Sequence, residues 1–363
     1  MKKIAFYLPQ FHSIPENDNW WGKGFTEWTN VKKSHPQFKG HLQPEIPLDD
    51  NYYCLLDSKT QEKQSELALK YGIDCFCYYH YWFEGKLLLE KPAENMLKNP
   101  NIKIQFCMCW ANESWARTWD GLEKDILIKQ NYNEDEEAWK KHFEYLLDFF
   151  KDDRYLKDNG SPILVIYKPH MIKNCTEMIA YWKKLAKQYG FTDLIVAYQH
   201  PSAFDDKIVD DVFDFGIEFE PLYTTYCEKK ETNTMINKII YSLKHPKWLI
   251  RKLKIKFFRY PNIHCYDDVW NSIISRYPRN KKIAPGAFPA WDNTPRKADK
   301  ADVYFGATPE KFKKYFDLRM EVAEERYGIK YMFINAWNEW AEGAHLEPDK
   351  KNGYGYLEAI KKD

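Results

Sequence analysis

The chain has 363 residues, and 54 Lys plus Arg balance 53 Asp plus Glu to a net charge of +1. A chain with so little net charge has no global field that attracts nucleic acid, so a nucleic-acid partner is not expected. Aromatic residues make up 17% of the sequence, with 14 Trp and 26 Tyr, and their rings and polar atoms suit either a large core or a groove that binds sugar rings.

Eight short apolar segments alternate with amphipathic ones along the chain. The apolar segments are residues 4–8, 75–79, 104–109, 163–167, 194–198, 215–219, 283–288 and 331–336. Several are unbroken runs of β-branched and aromatic residues, as in parallel strands that are buried on both faces. Residues 58–71 and 134–151 have the apolar spacing of helices. The alternation predicts an α/β fold, a (β/α)8 TIM barrel that spans residues 1–363 as a single domain, and the lack of a low-complexity linker makes two domains the weaker interpretation.

Residues 229–260 break this alternation after the sixth predicted strand. Basic and apolar residues are mixed here, among them Lys247, Trp248, Arg251, Phe257 and Arg259. The composition predicts a basic amphipathic insertion. Such a helix either covers the barrel with a solvated face, which is the favoured interpretation, or lies on an anionic membrane surface as a peripheral contact.

The N-terminus and the cysteines bear on the cellular compartment. The two N-terminal lysines resemble the start of a signal peptide, but Pro9, Gln10 and His12 interrupt the apolar stretch that follows, and no apolar run is long enough to cross a bilayer. We therefore expect a cytoplasmic protein, with peripheral membrane contact only through residues 229–260. The eight cysteines lack the spacing of a disulfide scaffold or a zinc site, so free thiols are expected. The C-x-C pairs predicted to pack in the core are Cys75, Cys77, Cys107 and Cys109.

Sequence motifs for cofactor binding are missing. There is no glycine-rich dinucleotide fingerprint after the first strand, no Walker loop, no G-x-S-x-G elbow and no H-E-x-x-H helix. No cofactor and no metal site are therefore expected.

The C-terminal ends of the strands carry the catalytic groups of a (β/α)8 barrel, so residues at those ends are the first candidates for a functional site. Polar and aromatic residues follow all eight predicted strands, and Arg296 is among those after the seventh. His12 and His80 are either hydrogen-bonding groups for a ligand or strand-end residues with internal partners. The predicted substrate-binding residues are Tyr7, Gln10, His12, Trp28, Tyr79, His80, Trp110, Asn112, Glu113, Lys168, Glu218, Trp291, Asp292, Asn338 and Trp340.

Glu339 and Glu342 are the predicted catalytic residues. They lie three positions apart at the end of the last predicted strand, so both side chains can face one pocket. Cleavage of a glycosidic bond needs two carboxyl groups, one to protonate the leaving oxygen and one to act as base or nucleophile. Trp337 and Trp340 are apolar neighbours that can raise the pKa of one carboxyl. The pair therefore predicts chemistry on a sugar.

Glu113 and Glu27 are two further acidic candidates. Glu113 follows the third predicted strand between Trp110 and Trp115, and we interpret it as a carboxylate that binds substrate rather than as the acid. Glu27 lies in the segment W-W-G-K-G-F-T-E-W and is either a partner of sugar hydroxyls or part of a loop that caps the barrel.

Three motifs, in order, resemble one family along nearly the whole chain. They are A-F-Y-L-P-Q-F-H with N-W-W-G-K-G-F-T-E-W-T-N-V, then C-W-A-N-E-S-W-A-R-T-W-D-G, and finally N-A-W-N-E-W-A-E-G-A-H-L-E-P-D. The sequence resembles the WbsX-type proteins of bacterial polysaccharide loci, which look like relatives of glycoside hydrolase family ninety-nine, the endo-α-mannosidases. The resemblance implies a barrel enzyme that acts on an oligosaccharide or polysaccharide. If that glycan is lipid-linked, membrane contact through the basic insertion at 229–260 would suit the enzyme.

The same resemblance implies roles for the two carboxylates. Glu342 would be the general acid/base, and Glu339 would deprotonate the 2-hydroxyl of the sugar, which attacks C1 to give an anhydro-sugar with overall retention. This chain has Ala341 where the hydrolases typically carry His, so mannose specificity does not follow. WbsX-type proteins are also commonly called glycosyltransferases. Three hypotheses therefore stay open: a glycoside hydrolase, a glycosyltransferase of O-antigen or capsular polysaccharide, and a non-catalytic barrel that binds glycans.

Overall fold

The protein, described by a computed structural model over residues 1–117, 122–132, 135–200, 212–231 and 260–361, is built around a parallel β-barrel. Its strands are β1 (Lys2–Tyr7), β2 (Cys75–Phe83), β3 (Gln105–Trp110), β4 (Ser161–Ile166), β5 (Ile195–His200), β6 (Phe215–Glu218), β7 in two halves (Ile283–Ala284 and Gly286–Ala287) and β8 (Tyr331–Ile334). Each strand from β1 to β6 pairs in parallel with the next, and β8 returns to pair with β1. The predicted (β/α)8 barrel is confirmed.

The two halves of β7 close the barrel because each pairs with a different neighbour. The first half pairs with β6, with Ile283 opposite Gly216, and the second pairs with β8, with Gly286 opposite Phe333. Pro285 separates the halves, and its carbonyl accepts a hydrogen bond of 3.0 Å from the Phe333 N–H. A Cβ at Gly286 would lie 1.7 Å from the carbonyl oxygen of Glu218, so only glycine fits this position.

Helices surround the barrel or cap its ends. They are α1 (Pro15–Trp21), α2 (Glu27–Lys33), α3 (Ser58–Lys70), α4 (Lys91–Lys98), α5 (Glu136–Lys151), α6 (Cys175–Gln188), α7 (Leu222–Glu231), α8 (Tyr266–Ser275), α9 (Thr294–Lys297), α10 (Pro309–Arg326) and α11 (Gly355–Glu358). The predicted helices at α3 and α5 are confirmed, and each begins at an aspartate whose side chain accepts a backbone N–H, Asp57 from Lys59 and Asp135 from Ala138.

Short strands and 3-10 turns complete the structure. The strands outside the barrel are Lys86–Leu88, Trp115–Arg117, Leu122–Ile128, Lys157–Asp158, Asn262–Cys265, Asp302–Phe305, Asn338–Glu339 and Ala344–His345, and the 3-10 turns are Leu48–Asp50, Pro169–Met171, Ala298–Lys300 and Trp340–Glu342. Asn338–Glu339 pairs antiparallel with Ala344–His345, so the chain reverses direction directly after β8.

Aromatic rings fill the barrel interior. Phe6 on β1 stacks on Tyr79 at 5.6 Å and meets the rings of Phe219 and Phe333 at 5.3 and 5.7 Å. Successive side chains of a strand point to opposite faces, so Tyr7, next to Phe6, packs outward toward the helices. These contacts make the barrel interior a packed core. The C-terminal ends of the strands form the face of the barrel above this core.

Several other sequence predictions can be compared with the described residues. All eight cysteines are free, and the four of the C-x-C pairs are buried in the core, as predicted. In the described part of the chain, no helix has the length and apolarity to cross a bilayer, and no three His, Cys, Asp or Glu side chains group as metal ligands. The predicted insertion at 229–260 lies almost entirely outside the described residues, so its helix and its membrane contact stay predictions.

Candidate active site

The turn after β8 carries both predicted catalytic residues. Glu339 ends the short strand, and Glu342 ends the 3-10 turn that follows it. Gly343 then adopts φ of +57°, and its Cβ would lie 2.9 Å from the backbone nitrogen of Asp292. The Asp292 N–H donates to the Glu342 carbonyl at 2.7 Å. Glycine is therefore required here both by its conformation and by the close approach of the chain that follows β7.

Arg296 on α9 joins three carboxylates in one cluster. Its Nη1 donates to Glu342 Oε1 at 2.5 Å, its Nη2 to Glu339 Oε2 at 2.9 Å, and its Nε to Glu27 Oε1 at 2.9 Å. Glu27 opens α2 and Arg296 follows β7, so the cluster combines residues from three distant parts of the sequence. We call Glu27, Arg296, Glu339 and Glu342 the carboxylate cluster. It brings the two predicted catalytic side chains to one guanidinium at the C-terminal end of the barrel.

Burial controls the protonation of this cluster. The Glu27 side chain is fully buried, and those of Glu339 and Glu342 are 8% and 20% exposed. Burial raises the pKa of Glu339 to about 8; Arg296 opposes this rise, and the negative charges of Glu342 and Glu27 add to it. Burial also raises the pKa of Glu27 against the effect of Arg296. Burial acts to lower the pKa of Arg296, but the three carboxylates outweigh it and raise that pKa. At neutral pH, the Glu339 carboxyl is therefore mostly protonated and neutral.

Asn338 fixes the backbone that leads into Glu339. Its Oδ1 accepts the N–H of Leu8 at 2.7 Å, and its Nδ2 donates to the Leu8 carbonyl at 3.0 Å. The side chain is fully buried and ties the turn after β8 to the end of β1. Asn338 thus holds Glu339 in place; the substrate-binding role predicted for it remains a prediction.

Glu347 supports the same turn from below. Its two carboxyl oxygens accept from the indole nitrogens of Trp337 and Trp340 at 3.1 and 2.7 Å, from Tyr53 at 2.7 Å and from Gln64 at 2.6 Å. Burial raises the pKa of Glu347, and the hydrogen bonds from Trp340, Tyr53 and Gln64 act against the rise. One buried carboxyl therefore fixes both tryptophans that flank Glu339. Glu347 was not among the residues predicted from the sequence, although it lies within the third motif.

A second polar group forms at the ends of β3 and β4. Glu113 is paired with Lys168 Nζ. Asn112 is fully buried; its Oδ1 accepts the Lys168 N–H at 2.7 Å and its Nδ2 donates to the Lys168 carbonyl at 2.8 Å. The structure thus brings together three of the predicted substrate-binding residues, with Glu113 partly exposed.

Three tyrosines lie within the field of the carboxylate cluster and of Glu113. The pKa of Tyr81 is raised by burial first and by the charge of Glu339 second. The pKa of Tyr167 is raised by burial first and by the charge of Glu113 second. The predicted Tyr79 also has a raised pKa, for which burial is the largest cause, the charge of Cys109 the second and the charge of Glu339 the third. Tyr81 and Tyr167 were not predicted, because neither strand-end position stands out by residue type alone.

Three predicted residues pack away from the carboxylate cluster. The Tyr7 hydroxyl donates to Gln64 on α3 at 2.6 Å, which places Tyr7 on the outer face of β1. Trp28 and Trp340 are buried against each other with ring centroids 5.3 Å apart, and Trp340 also stacks on His345 at 3.7 Å. Both indoles therefore support the site from inside the protein, and the substrate contacts predicted for all three stay untested predictions.

Two other predicted residues take part in buried internal pairs. Glu218 is fully buried and bonds Arg276 Nη2 at 3.0 Å and Arg319 Nη2 at 2.5 Å. Burial acts to raise the pKa of Glu218, but the two guanidiniums lower it. His80 lies 2.9 Å from His142, nitrogen to nitrogen, and burial lowers the pKa of His80 to about 3. His80 is therefore neutral, and its partner is internal.

The remaining predicted residues line the region around β1 and β7. Asp292 accepts from Gln43 at 2.7 Å and is paired with His41 at 2.6 Å. The buried Nε2 of Gln10, Nε2 of His12 and Nε1 of Trp291 have no hydrogen-bond partner among the described residues. Three buried polar atoms without a partner are consistent with their predicted contact to a ligand, which stays a prediction. Trp110 lines a different cavity, beside α5 and α6, and its predicted contact to a substrate stays a prediction.

Comparison with known proteins gives a family and a fold. The model of the family described as Glycosyltransferase WbsX matches residues 3–360. The chain is 35% identical over 361 residues to the Uncharacterized protein WxcX of Xanthomonas campestris pv. campestris strain B100, and equally to that of a second strain. The match covers 99% of this chain and 49% of each relative, so the chain spans about half the length of these curated relatives.

Solved structures with the same fold are glycoside hydrolases or similar to them. The GH99 endo-alpha-mannosidase from Bacteroides thetaiotaomicron superposes with a TM-score of 0.55 at 14% identity, over 99% of this chain and 95% of that one. A Glycoside hydrolase-like protein superposes with a TM-score of 0.59 at 12% identity, over 100% and 94% of the two chains. At these identities the likeness establishes the barrel fold.

Proposed function

Because the chain belongs to the Glycosyltransferase WbsX family, we propose that it is a carbohydrate-active enzyme that cleaves or rearranges a glycosidic bond of a bacterial oligosaccharide or polysaccharide. The observation that carries this proposal is the meeting of Glu339 and Glu342 on one guanidinium at the C-terminal end of the barrel. Enzymes of this fold react at that end, and glycosidases work with two carboxyl groups.

The proposed reaction proceeds with retention at C1. Glu342 protonates the leaving oxygen, while Glu339 takes the proton from the sugar 2-hydroxyl, and O2 displaces the leaving group at C1. Water then opens the anhydro-sugar at C1, Glu342 accepts the proton of that water, and Glu339 returns its proton to O2. Every proton and both bonds are accounted for by the two carboxyl groups and one water.

The raised pKa of Glu339 supports its role as base. A carboxylate whose pKa is about 8 is a stronger base than an ordinary glutamate, and it is matched better to an alcohol proton. Only the ionised fraction can act, so kcat/KM is expected to rise with pH up to about 8. Arg296, Glu342 and Glu27 set this balance against burial, because they are the charges that contact Glu339 or lie beside it.

Substitution of each carboxylate tests the proposal. A panel of bacterial glycans is screened for cleavage, and the anomer formed first is identified by NMR. Glu339→Gln and Glu342→Gln are each expected to remove nearly all cleavage while circular dichroism stays unchanged, with exposed Glu321→Gln as the matched control. Cleavage retained in both variants, or inversion at C1, contradicts the proposal. A kcat/KM that falls with pH near 8 assigns Glu339 as the acid instead.

The family description favours a second candidate, a glycosyltransferase. A transferase that uses a nucleotide sugar needs a site for a diphosphate, so saturable binding of a nucleoside diphosphate supports it over the hydrolase. Tight glycan binding with no turnover on any glycan or donor would leave a non-catalytic binding barrel. A lipid-linked substrate and membrane contact through residues 229–260 remain part of the proposal for either enzyme.

A further inference from the structure

A separate aromatic cavity lies beside the barrel rim, between the strand ends of β2 and β3 and the helices α5 and α6. Its volume is about 290 Å³. Four indole rings form its apolar walls, Trp82 on β2, Trp110 at the end of β3, Trp139 on α5 and Trp182 on α6. None of the carboxylate cluster lines it, so this cavity is distinct from the candidate active site.

Gln130 gives the cavity an unsatisfied acceptor. The residue is 6% exposed and lines the cavity. Its Nε2 donates to the Asn131 carbonyl at 2.9 Å, and its backbone N–H donates to Ser114 Oγ at 2.9 Å. Its Oε1 is buried and has no hydrogen-bond partner in the described parts of the chain. An unpaired buried acceptor destabilises the folded protein, so a ligand that donates a hydrogen bond here removes that destabilisation.

The charged lining of the cavity is mostly acidic. Glu84, Asp135 and Glu137 line it, against the single cation Lys141 among the lining residues described. Carboxylates accept hydrogen bonds from hydroxyls and repel phosphate or carboxylate groups. The lining therefore favours a ligand with several O–H donors and no negative charge.

We propose that this cavity binds a neutral pyranose ring, independently of the chemistry at Glu339 and Glu342. The C–H faces of the ring pack on the indoles, and one hydroxyl donates to Gln130 Oε1. Aromatic walls with acidic neighbours also suit quaternary ammonium groups. Such a group has no N–H or O–H to offer, so it would leave the Gln130 acceptor unpaired, and the pyranose is the better match.

One residue that lines the cavity is hydrogen-bonded to the polar group at the ends of β3 and β4. Tyr132 lines the cavity, and its hydroxyl donates to the Asn112 carbonyl at 2.5 Å. Asn112 precedes Glu113, which is paired with Lys168. One wall of the cavity is therefore held in place by the residues that carry this ion pair.

Binding is measured by saturation-transfer NMR with the methyl α-pyranosides of glucose, mannose and galactose. The protein carries Glu339→Gln and Glu342→Gln, so binding is read without turnover and does not depend on the proposed catalysis. Trp139→Ala removes one wall, and Gln130→Met keeps the side-chain length but removes the acceptor. Each is expected to raise Kd roughly three- to tenfold, the loss of one aromatic or hydrogen-bond contact. Tyr189→Ala, at the exposed residue that directly follows α6 and lies outside the cavity, is the control and keeps the original Kd.

Three results overturn the inference. The first is that no methyl pyranoside binds. The second is that binding is unchanged in both Trp139→Ala and Gln130→Met while both variants keep the native circular dichroism spectrum. The third is that tetramethylammonium binds and is lost in Trp139→Ala while no pyranoside binds, which assigns the cavity to cations.

Discussion

Replacing Glu339 by glutamine removes a buried carboxyl that resists ionisation, so its effect on stability is expected to depend on pH. The pKa of Glu339 is about 8 in the folded protein, against an ordinary value of 4.5 that the unfolded chain regains. Because the folded pKa is the higher one, the favourable contribution of Glu339 is complete below about pH 4.5 and is lost as pH rises to about 8. At about 1.36 kcal/mol per pH unit, the full loss is at most about 5 kcal/mol.

Glutamine resembles the protonated carboxyl, so Glu339→Gln is expected to match the wild type at pH 5 and to be more stable at pH 9 by on the order of 2–5 kcal/mol. Urea unfolding followed by tryptophan fluorescence at both pH values measures the difference. Glu321→Gln, at an exposed position, shows the general effect of such a change. A stability difference that is the same at pH 5 and pH 9 would refute the reasoning, because it would mean that Glu339 ionises as readily in the fold as in the unfolded chain.

Two further substitutions test the geometry around this carboxyl. Gly343→Ala is expected to lower the free energy of unfolding in urea by about 1–3 kcal/mol more than Gly353→Ala. Both glycines have φ near +58°, but only at Gly343 does the Asp292 backbone lie within reach of a new Cβ. Equal losses in the two variants would show that the close approach does not matter. Arg296→Met is expected to cost about 3–5 kcal/mol at pH 8 and less at pH 5, where the carboxyls that it leaves unpaired take up protons; a loss that does not change with pH would contradict the charge balance drawn for the cluster.

The strands were predictable because each is a short run of apolar residues that needs both faces buried. All eight predicted segments overlap strands of the barrel, and in all but the seventh only the ends differ. The division of β7 was not predicted, although Pro285 within the segment carries the signal: a residue without an N–H interrupts a ladder. Closure of the barrel through two half-strands depends on Gly286 approaching the Glu218 carbonyl, and that approach is a matter of packing, which residue types alone do not give.

The site was predictable where the backbone direction follows from the strand. Glu339 and Glu342 follow β8 directly, so their meeting at one end of the barrel could be expected. Tyr7 is also on a strand, but successive side chains alternate between the two faces, so Phe6 points into the barrel and Tyr7 points toward the helices. This alternation argues against substrate contact by Tyr7, and it can be read from the sequence. The position of a residue along a strand determines whether its side chain points into the barrel or toward the helices. That direction decides which aromatic rings can reach a ligand.

Arg296 could not be assigned to the site in the same way. It lies on a short helix after β7, and the direction of a side chain there depends on how the loop folds. Glu27 is separated from Glu339 by most of the chain, and no spacing rule connects them. The signal that existed was chemical: two acidic side chains that converge in a buried place need a cation nearby, and Arg296 was the cation at a neighbouring strand end.

The four donors that converge on Glu347 have a consequence for how this chain can diverge. Loss of any one of Tyr53, Gln64, Trp337 or Trp340 leaves one oxygen of a buried carboxyl with a single donor in place of two, and loss of Glu347 removes the acceptor of all four donors at once. These five positions are therefore expected to be inherited as a block or replaced as a block. A relative that keeps both glutamates after β8 but has an apolar residue at the position of Glu347 would hold the two proposed catalytic residues on a loosened turn, so it is a poor choice for testing the proposed activity.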